Sequence, residues 1–337
     1  MINIAVIGTG IWGKNHVRVL SEIGEANLVK ICDMNEKSLL PLQKTFHVDI
    51  TINYKEILND KSIIAVSICT PASMHYPVVK EMLLAGKDVL VEKPLTLDIQ
   101  QSDELTKIAR ENNRILMVGH IFRFNAGVNK LKDEIKKGTF GKIRFMYGAR
   151  MGLMTPRFDC GVIADFALHD IDTFCYLLDE MPTEVTCVGQ SYKESPFEDV
   201  GFITLRFNSN IIANVGVSWL TPKKVRELWV VGEKKSAYLD YLTHELTIFD
   251  KGIVPQYNSF GEFSLITKQD GDDIKPFIPV REPLKDELLH FIDCVKNRKQ
   301  PIVDGEIGTQ MVRIINAAYQ ALKEKRTIAI RYIGELR

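Results

Sequence analysis

The 337-residue sequence has no excess of charge of either sign. Its 43 Lys and Arg residues are matched by 43 Asp and Glu residues, so the formal net charge is zero. Surfaces that bind nucleic acids or anionic membranes usually leave a basic excess. Apolar runs are also short, and none approaches the roughly 18 residues of a membrane span. We therefore expect no nucleic-acid partner and no membrane partner.

Cysteine is scarce and scattered. The six cysteines show no C-x-x-C spacing, and several lie inside apolar runs. This pattern favours buried thiols in a reducing compartment over disulfides or a metal site. The first predicted strand begins almost at the start of the chain, so we expect no secretory signal peptide. The sequence therefore predicts a cytoplasmic protein without a bound metal.

Two patterns of secondary structure meet near residue 122. Before it, short apolar runs alternate with helical segments, which indicates a parallel sheet with crossover helices. After it, β-rich runs separated by short turns indicate an open, mostly antiparallel sheet accompanied by helices. We expect an α/β Rossmann domain at 1–122 and an α+β domain at 123–337. Within the second domain, Lys251–Asp273 is predicted to be a long loop.

An open sheet leaves one face to be covered. A partner subunit commonly covers such a face, because exposed apolar strands otherwise associate without specificity. The sequence therefore predicts a homodimer or homotetramer that is formed through the C-terminal sheet.

The clearest motif lies between residues 3 and 33. The buried strand Ile4–Ile7 is followed by Gly8-Thr9-Gly10-Ile11-Trp12-Gly13, and a second apolar run ends at Asp33. Glycines at these spacings allow a tight turn, close approach to a pyrophosphate and close packing of helix on strand. The helix N-terminus favours phosphate binding, and Asp33 can accept hydrogen bonds from ribose hydroxyls. The motif predicts NAD rather than NADP; the alternative is a glycine-rich turn with Asp33 on the surface.

Other polar segments follow the next strands of the predicted sheet. In parallel sheets, ligands bind beyond the carboxyl ends of the strands. Two such ends are Thr70–His75 and Glu92-Lys93-Pro94. An ammonium at Lys93 could hold a substrate hydroxyl and stabilise developing alkoxide charge. Pro94 makes a cis Lys93–Pro94 bond possible, and the alternative reading is a surface Glu–Lys pair before a proline loop.

A second candidate site lies on the predicted helix Asp165–Leu178. Asp165, His169 and Asp172 are at positions i, i+4 and i+7, so a regular helix would place them on one face. A carboxylate one turn from His169 can orient the imidazole and stabilise its charged form, as a general base requires. A salt-bridged histidine on an exposed helix is the alternative, and metal binding is disfavoured because other ligands are not clustered nearby.

These three motifs resemble, in order and at family spacing, the signatures of the Gfo/Idh/MocA oxidoreductase family. The resemblance spans the chain and implies NAD(P)-dependent oxidation of a secondary alcohol on a sugar or cyclitol. It implies that Lys93 anchors the reacting hydroxyl and that Asp165 and His169 complete the catalytic group. It also implies cofactor contacts, which fall on Gly8, Thr9, Gly10, Ile11, Trp12, Gly13, Asp33, Thr70, Pro71, His75, Glu92 and Lys93.

The segment Gly119–Asn125 is similar to that of nucleotide-sugar members of the family. Arg123 could bind a phosphate or carboxylate through two N–H groups, or it could be structural. Asn125 could contact the substrate or cap the next helix. Arg150 and Arg157 are further candidates for binding an anionic substrate, together with Asp165 and His169.

The preferred substrate is therefore a UDP-N-acetylhexosamine that is oxidised at C3. A free cyclitol or sugar is the first alternative, as in inositol or glucose dehydrogenases. A non-catalytic protein that senses NAD is the second, although such a sensor has no need of Lys93, Asp165 and His169 together.

Overall fold

The computed structural model of the protein describes residues 1–155, 159–193, 196–250 and 271–332. Contacts between residues divide the chain into two compact units. The first contains Met1–Phe124 and Arg281–Asn316, and the second contains Asn125–Val280 and Ala317–Arg331. The predicted domain boundary at residue 122 assigns Arg281–Asn316 to the second domain. In the structure, this segment belongs to the first unit.

The first unit is built on a parallel sheet. Its strands are β1 (Ile2–Ile7), β2 (Ala26–Cys32), β3 (Asp49–Thr51), β4 (Ala65–Ile68), β5 (Asp88–Glu92) and β6 (Leu116–Gly119). They are arranged in the order β3-β2-β1-β4-β5-β6, and each neighbouring pair is parallel. The crossover helices are α1 (Ile11–Glu22), α2 (Glu36–Phe46), α3 (Tyr54–Asn59), α4 (His75–Leu84) and α5 (Ile99–Glu111). The predicted Rossmann fold is confirmed.

Burial explains the apolar centre of this sheet. In β1, Ile4, Ala5 and Val6 are completely buried, as expected for a parallel sheet that helices cover on both faces. The short elements β3 and α3 were not predicted. Three and six residues contain too little periodic pattern to indicate a strand or a helix from sequence alone.

The second unit combines helices with a mixed sheet. It contains α6 (Ala126–Lys136) and a π-helical segment, Ile163–Ala167, that leads directly into α7 (Leu168–Leu178). Its described strands are β7 (Ile143–Met151), β8 (Glu184–Gln190), β9 (Val200–Arg206), β10 (Ile212–Ser218), β11 (Val225–Gly232), β12 (Ser236–Asp240), β13 (Glu245–Phe249), β14 (Asp273–Ile274) and β15 (Ile328–Ala329). Two further helices precede β15 in the chain: α8 (Pro283–Asn297), which belongs to the first unit, and α9 (Gly305–Glu324), which belongs to the first unit as far as Asn316.

The described strands of the second sheet lie in the order β14-β13-β12-β11-β7-β10-β9-β8-β15. Neighbours in this order are antiparallel except β7 and β10, which are parallel. The predicted mostly antiparallel sheet is confirmed, but β7 lies between β10 and β11 instead of preceding a simple meander. The predicted loop Lys251–Asp273 lies outside the described residues as far as residue 270.

Helix α8 belongs to the first unit because of its apolar stripe. Leu284, Leu288, Phe291 and Val295 recur at helical spacing, and each is at most 4% exposed within the core of the parallel sheet. Burial of this stripe stabilises the first unit although α8 lies far along the chain.

Among the described residues, no helix combines the length and apolar character needed to cross a membrane.

One face of the second sheet presents large apolar side chains to solvent. Phe145 and Phe202 are each 46% exposed, and Val188 is 59% exposed. Residues that alternate with them, such as Cys187 and Ile203, are at most 3% exposed. This alternation is typical of a sheet that its own chain covers on one face only.

Candidate active site

The turn between β1 and α1 has the geometry of a phosphate-binding loop. Gly8 has a φ of 93°, and a Cβ there would lie 2.7 Å from the main-chain carbonyl of Cys69. A Cβ at Gly13 would lie 1.9 Å from the carbonyl oxygen of Gly8. At Gly10, by contrast, a Cβ would meet no atom within 4 Å, and α1 begins there without a side-chain cap. Gly10 therefore faces open space at an uncapped helix N-terminus, where a pyrophosphate is favoured.

Asp33 follows β2 and is held against this turn. Its Oδ2 accepts hydrogen bonds from the amide of Thr9 at 2.7 Å and from the Thr9 hydroxyl at 3.0 Å. Its Oδ1 accepts one from the amide of Asn35 at 2.8 Å. The buried Thr9 hydroxyl is also 2.7 Å from Ser38 Oγ. These contacts fix the carboxylate where an acidic side chain can accept ribose hydroxyls.

His75 connects the loops that follow β4 and β5. Its Nδ1 lies 2.7 Å from the carbonyl oxygen of Pro94, and its Nε2 lies 2.9 Å from that of Thr70. The Thr70 hydroxyl is buried and has no hydrogen-bond partner in the part of the chain that the structure describes. Pro71 leads into α4, and the Lys93–Pro94 bond is cis. The open space at Gly10, the uncapped helix and the Thr70 hydroxyl together fit a dinucleotide.

Glu92 ends β5 in a cluster of charged groups. Its Oε1 is 3.0 Å from His16 Nε2, and its Oε2 accepts a hydrogen bond from the Lys93 amide at 3.3 Å. Burial acts to raise the pKa of Glu92, but the hydrogen bond and charge of His16, with Lys93 and His75, lower it overall. Burial likewise opposes protonation of His16, yet Cys69 and Glu92 raise its pKa well above the usual value. Glu92 is therefore an ionised carboxylate next to Lys93.

Glu287 on α8 is a buried acid that the sequence interpretation missed. It is completely buried, and neither carboxyl oxygen has a hydrogen-bond partner among the described residues. Burial, and then the charge of Glu92, raise the pKa of Glu287 well above its usual value. A buried ionised carboxylate without donors is very costly, so Glu287 is protonated. Its only signal in the sequence is its position on the apolar stripe between Leu284 and Leu288.

This proton should make stability depend on pH. The folded protein keeps the Glu287 proton above pH about 4.3, where the unfolded chain releases it. Its contribution is therefore fully present below that pH and is lost as pH rises toward the folded pKa, with a slope of up to about 1.4 kcal/mol per unit. We expect Glu287→Gln, which is neutral at every pH, to lose less stability than wild type between pH 5 and 8.

Denaturant unfolding at several pH values measures this difference. Glu25→Gln removes an exposed carboxyl and serves as the control, so its curve should parallel that of wild type. Parallel curves for Glu287→Gln and wild type would show that Glu287 is ionised in the folded protein.

The second unit contains the other predicted catalytic residues. The prediction places Asp165, His169 and Asp172 on a regular helix, whereas Ile163–Ala167 is π-helical in the structure and only the following residues form α7. Asp165 is 9% exposed, Asp172 is 1% exposed and His169 is half-buried. Short π-helical segments are rare and frequently occur at functional sites. The strict i, i+4, i+7 geometry of an α-helix therefore does not extend back to Asp165.

Arg150 was predicted to bind an anionic substrate, but its guanidinium is engaged within the unit. Its Nε and one Nη donate to the two carboxylate oxygens of Asp170 at 2.7 and 3.2 Å. Arg150 is 4% exposed and Asp170 is completely buried. A buried, bidentate pair of this kind satisfies both charges, so these contacts favour a structural role.

Arg226 on β11 is a cation that was not predicted. Its guanidinium carbon is 4.4 Å from the centroid of the Phe166 ring, and one Nη donates to the carbonyl of Met151 at 2.6 Å. Burial, and then the charge of Arg150, lower the pKa of Arg226 to about 10. Arg226 therefore brings positive charge to the π-helical segment that contains Asp165. The signal in the sequence is an arginine in a strand that is mostly apolar (Val225–Gly232).

The remaining predicted substrate-binding residues have mixed outcomes. Arg123 is 6% exposed and donates a hydrogen bond to the carbonyl of Ile302 at 3.3 Å. The Asn125 side chain accepts from the amides of the first turn of α6, so it has the capping role that was the alternative. Arg157 lies outside the described residues.

Among the residues that the structure describes, no group of three or more His, Cys, Asp or Glu side chains could hold a metal ion.

Both domains of the chain match models of one known protein family. Residues 2–120 match the NAD-binding Rossmann fold of an oxidoreductase family, and residues 132–330 match the C-terminal alpha/beta domain of the same family. The chain belongs to the Gfo/Idh/MocA family. Like other Gfo/Idh/MocA proteins, it is an oxidoreductase with a nicotinamide-binding Rossmann domain.

Two relatives with different substrates are equally similar to this Gfo/Idh/MocA protein. UDP-N-acetylglucosamine 3-dehydrogenase of Acidithiobacillus ferrooxidans is 26% identical over 94% of each chain. Myo-inositol 2-dehydrogenase of Thermotoga maritima is 26% identical over 98% of each chain. The solved structure of the Acidithiobacillus enzyme has a TM-score of 0.83 at 24% identity, with 96% of this chain and 98% of that chain covered. This last comparison shows the common fold.

Proposed function

We propose that the protein is an NAD-dependent dehydrogenase that oxidises a secondary hydroxyl of a sugar or cyclitol. The observation that supports it best is the turn at Gly10, which leaves open space at an uncapped helix N-terminus, with Asp33 fixed beside it. When bound, the nicotinamide supplies the hydride acceptor. The protein then has to bind the alcohol, remove its proton and stabilise the charge that develops on its oxygen.

We assign those tasks to the three residues that the sequence motifs indicate. The Lys93 ammonium donates a hydrogen bond to the reacting hydroxyl and stabilises the alkoxide charge that develops there. His169 accepts the hydroxyl proton as general base, and Asp165 supports the imidazolium that results. His169 then releases this proton to solvent, so each turnover converts one alcohol to a ketone and yields one reduced nicotinamide and one proton.

The preferred substrate is a UDP-N-acetylhexosamine oxidised at C3. One of the two relatives described above is named as an enzyme that acts on such a substrate. The second candidate is a free cyclitol, because the other relative is an inositol dehydrogenase of the same identity. The buried Arg150–Asp170 pair and the buried Arg123 also favour the cyclitol, because both cations already have partners within the protein.

Formation of reduced nicotinamide, followed by absorbance, distinguishes these substrates. The panel consists of UDP-N-acetylglucosamine, UDP-glucose, free glucose and myo-inositol, each offered with NAD and with NADP. We expect kcat/KM to be highest for UDP-N-acetylglucosamine with NAD. A preference for myo-inositol would assign the cyclitol reaction instead, and no turnover of any alcohol would contradict the dehydrogenase proposal.

We also propose that the protein is a homodimer or homotetramer formed through the exposed face of the second sheet. The exposed Phe145, Phe202 and Val188 on that face support this, since burial of such side chains drives association. Light scattering should give a mass above 38.3 kDa for wild type and a lower mass for Phe202→Glu. Leu84→Glu, a change at another exposed leucine, is the control. A wild-type monomer would contradict the proposal.

A further inference from the structure

Glu198 makes contact with the chain immediately before Asp165. It lies shortly before β9 and is 8% exposed. Its main-chain carbonyl accepts a hydrogen bond from the Val162 amide at 3.0 Å, and its Oε1 accepts one from the Ile163 amide at 3.0 Å. The hydroxyl of Tyr319 on α9 donates to the same Oε1 at 3.0 Å. One residue thus binds two successive amides where the π-helical segment begins.

Gly161 shows how closely the carboxylate approaches this segment. A Cβ at Gly161 would lie 2.0 Å from Glu198 Oε1 and 2.2 Å from Cδ and Oε2. Any larger residue at 161 would displace the Glu198 side chain. Gly161, four residues before Asp165, therefore provides the space for this carboxylate.

The start of the π-helical segment needs an external acceptor. The first amides of any helix have no partner within the helix, and a side chain at the N-cap usually supplies one. Here the N-cap residue is Val162, which makes no side-chain cap. Glu198 provides the acceptor from another part of the chain. Burial raises the pKa of its carboxyl, so the interaction rests on the hydrogen bonds that Glu198 accepts.

The loop that contains Glu198 is itself held in place. The Asp199 carboxylate accepts hydrogen bonds from the amides of Tyr192 and Lys193, and the Asp199 carbonyl accepts one from the Trp219 amide at 2.9 Å. The Trp219 ring, 1% exposed, packs edge-on against Phe166 at 6.3 Å between centroids. Two contacts therefore hold the π-helical segment: Glu198 binds its first amides, and Trp219 packs against its Phe166 side chain.

We propose that Glu198 is a positioning residue for catalysis, which fixes the orientation of Asp165 and His169 by binding the amides of Val162 and Ile163. This inference rests on the catalytic roles proposed above for Asp165 and His169. Glu198 contacts no substrate in this scheme. It acts through the backbone that presents the two catalytic side chains.

The test compares Glu198→Ala with Glu198→Gln. The alanine variant loses the side-chain acceptor, and we expect kcat to fall by about 10²-fold, as displacement of catalytic groups by about 1 Å can cause. The KM for NAD should not change, because the dinucleotide motif lies in the first unit. The glutamine variant keeps an oxygen that accepts from Ile163 and should have a kcat close to that of wild type.

A second measurement does not depend on activity. In Glu198→Ala, amide exchange followed by mass spectrometry should accelerate in peptides that cover residues 161–170, and in Glu198→Gln it should not. If the alanine variant does not fold, Tyr319→Phe takes its place. This variant removes one donor to Glu198, so amide exchange in the same peptides should be faster than in wild type but slower than in an unfolded chain. Unchanged exchange and kcat in Glu198→Ala would overturn the inference, as would a glutamine variant as defective as alanine. If wild type oxidises no alcohol, the proposed function fails, while amide exchange still decides whether Glu198 holds the segment.

Discussion

Replacing Lys93 by methionine is expected to lower kcat by about 10³-fold while NAD still binds. Methionine has a similar length and apolar stem but has no charge and donates no hydrogen bond. The alkoxide charge that develops during oxidation would then lose its stabilising ammonium. NAD affinity should change little, because the contacts proposed for its phosphates and ribose lie at Gly10 and Asp33.

Single-turnover formation of reduced nicotinamide measures the chemical step, and calorimetric titration with NAD measures binding. Lys44→Met, at an exposed lysine in the last turn of α2, controls for the loss of one positive charge. The Lys44 variant should match wild type in both measurements. If Lys93→Met instead loses NAD affinity and keeps its rate of turnover, Lys93 is a cofactor ligand and the role proposed for it is wrong.

Replacing Asp33 by asparagine is expected to reverse much of the preference for NAD. Each hydrogen bond from a ribose hydroxyl to a carboxylate contributes about 1.5–3 kcal/mol, so the Kd of NAD should rise about tenfold or more. The Kd of NADP should fall, because the repulsion between the carboxylate and the 2′-phosphate is removed. Asparagine is preferable to alanine, since its side-chain oxygen can still accept the hydrogen bond from the Thr9 amide.

The comparison requires both dinucleotides to be titrated against the same variants. Thr9→Val removes the hydroxyl that donates to Asp33 but retains the charge, so it controls for disturbance of the turn. We expect Thr9→Val to weaken NAD and NADP to a similar extent. If Asp33→Asn leaves the ratio of the two Kd values unchanged, Asp33 does not contact the ribose.

Local constraints explain why part of the site was predictable. Gly13 is required by its close approach to the carbonyl oxygen of Gly8, and Asn125 caps the helix that starts at the next residue. Such interactions involve residues close in sequence, so spacing alone indicates them. The parallel sheet was predictable for a similar reason, since alternation of short apolar runs with helices has few other solutions.

The remaining features depend on pairs that are distant in sequence. His16 and Glu92 are 76 residues apart, and Glu198 and Ile163 are 35 apart. No periodicity relates such partners, so the sequence indicated neither the ionised Glu92 nor the acceptor at the start of the π-helical segment. The same limit explains Arg150, which has the charge expected of an anion-binding residue but is paired with Asp170 in the interior.

The sequence by itself determined the two kinds of sheet, the dinucleotide motif and the family, because each follows from residue order over short distances. Only the tertiary structure decided that α8 joins the first unit, that β7 pairs in parallel with β10, and that Glu287 is buried without a donor. The physical reason is that burial and electrostatic pairing depend on which surfaces meet after folding. The protonation state and the orientation of a side chain follow from that environment rather than from its neighbours in the chain.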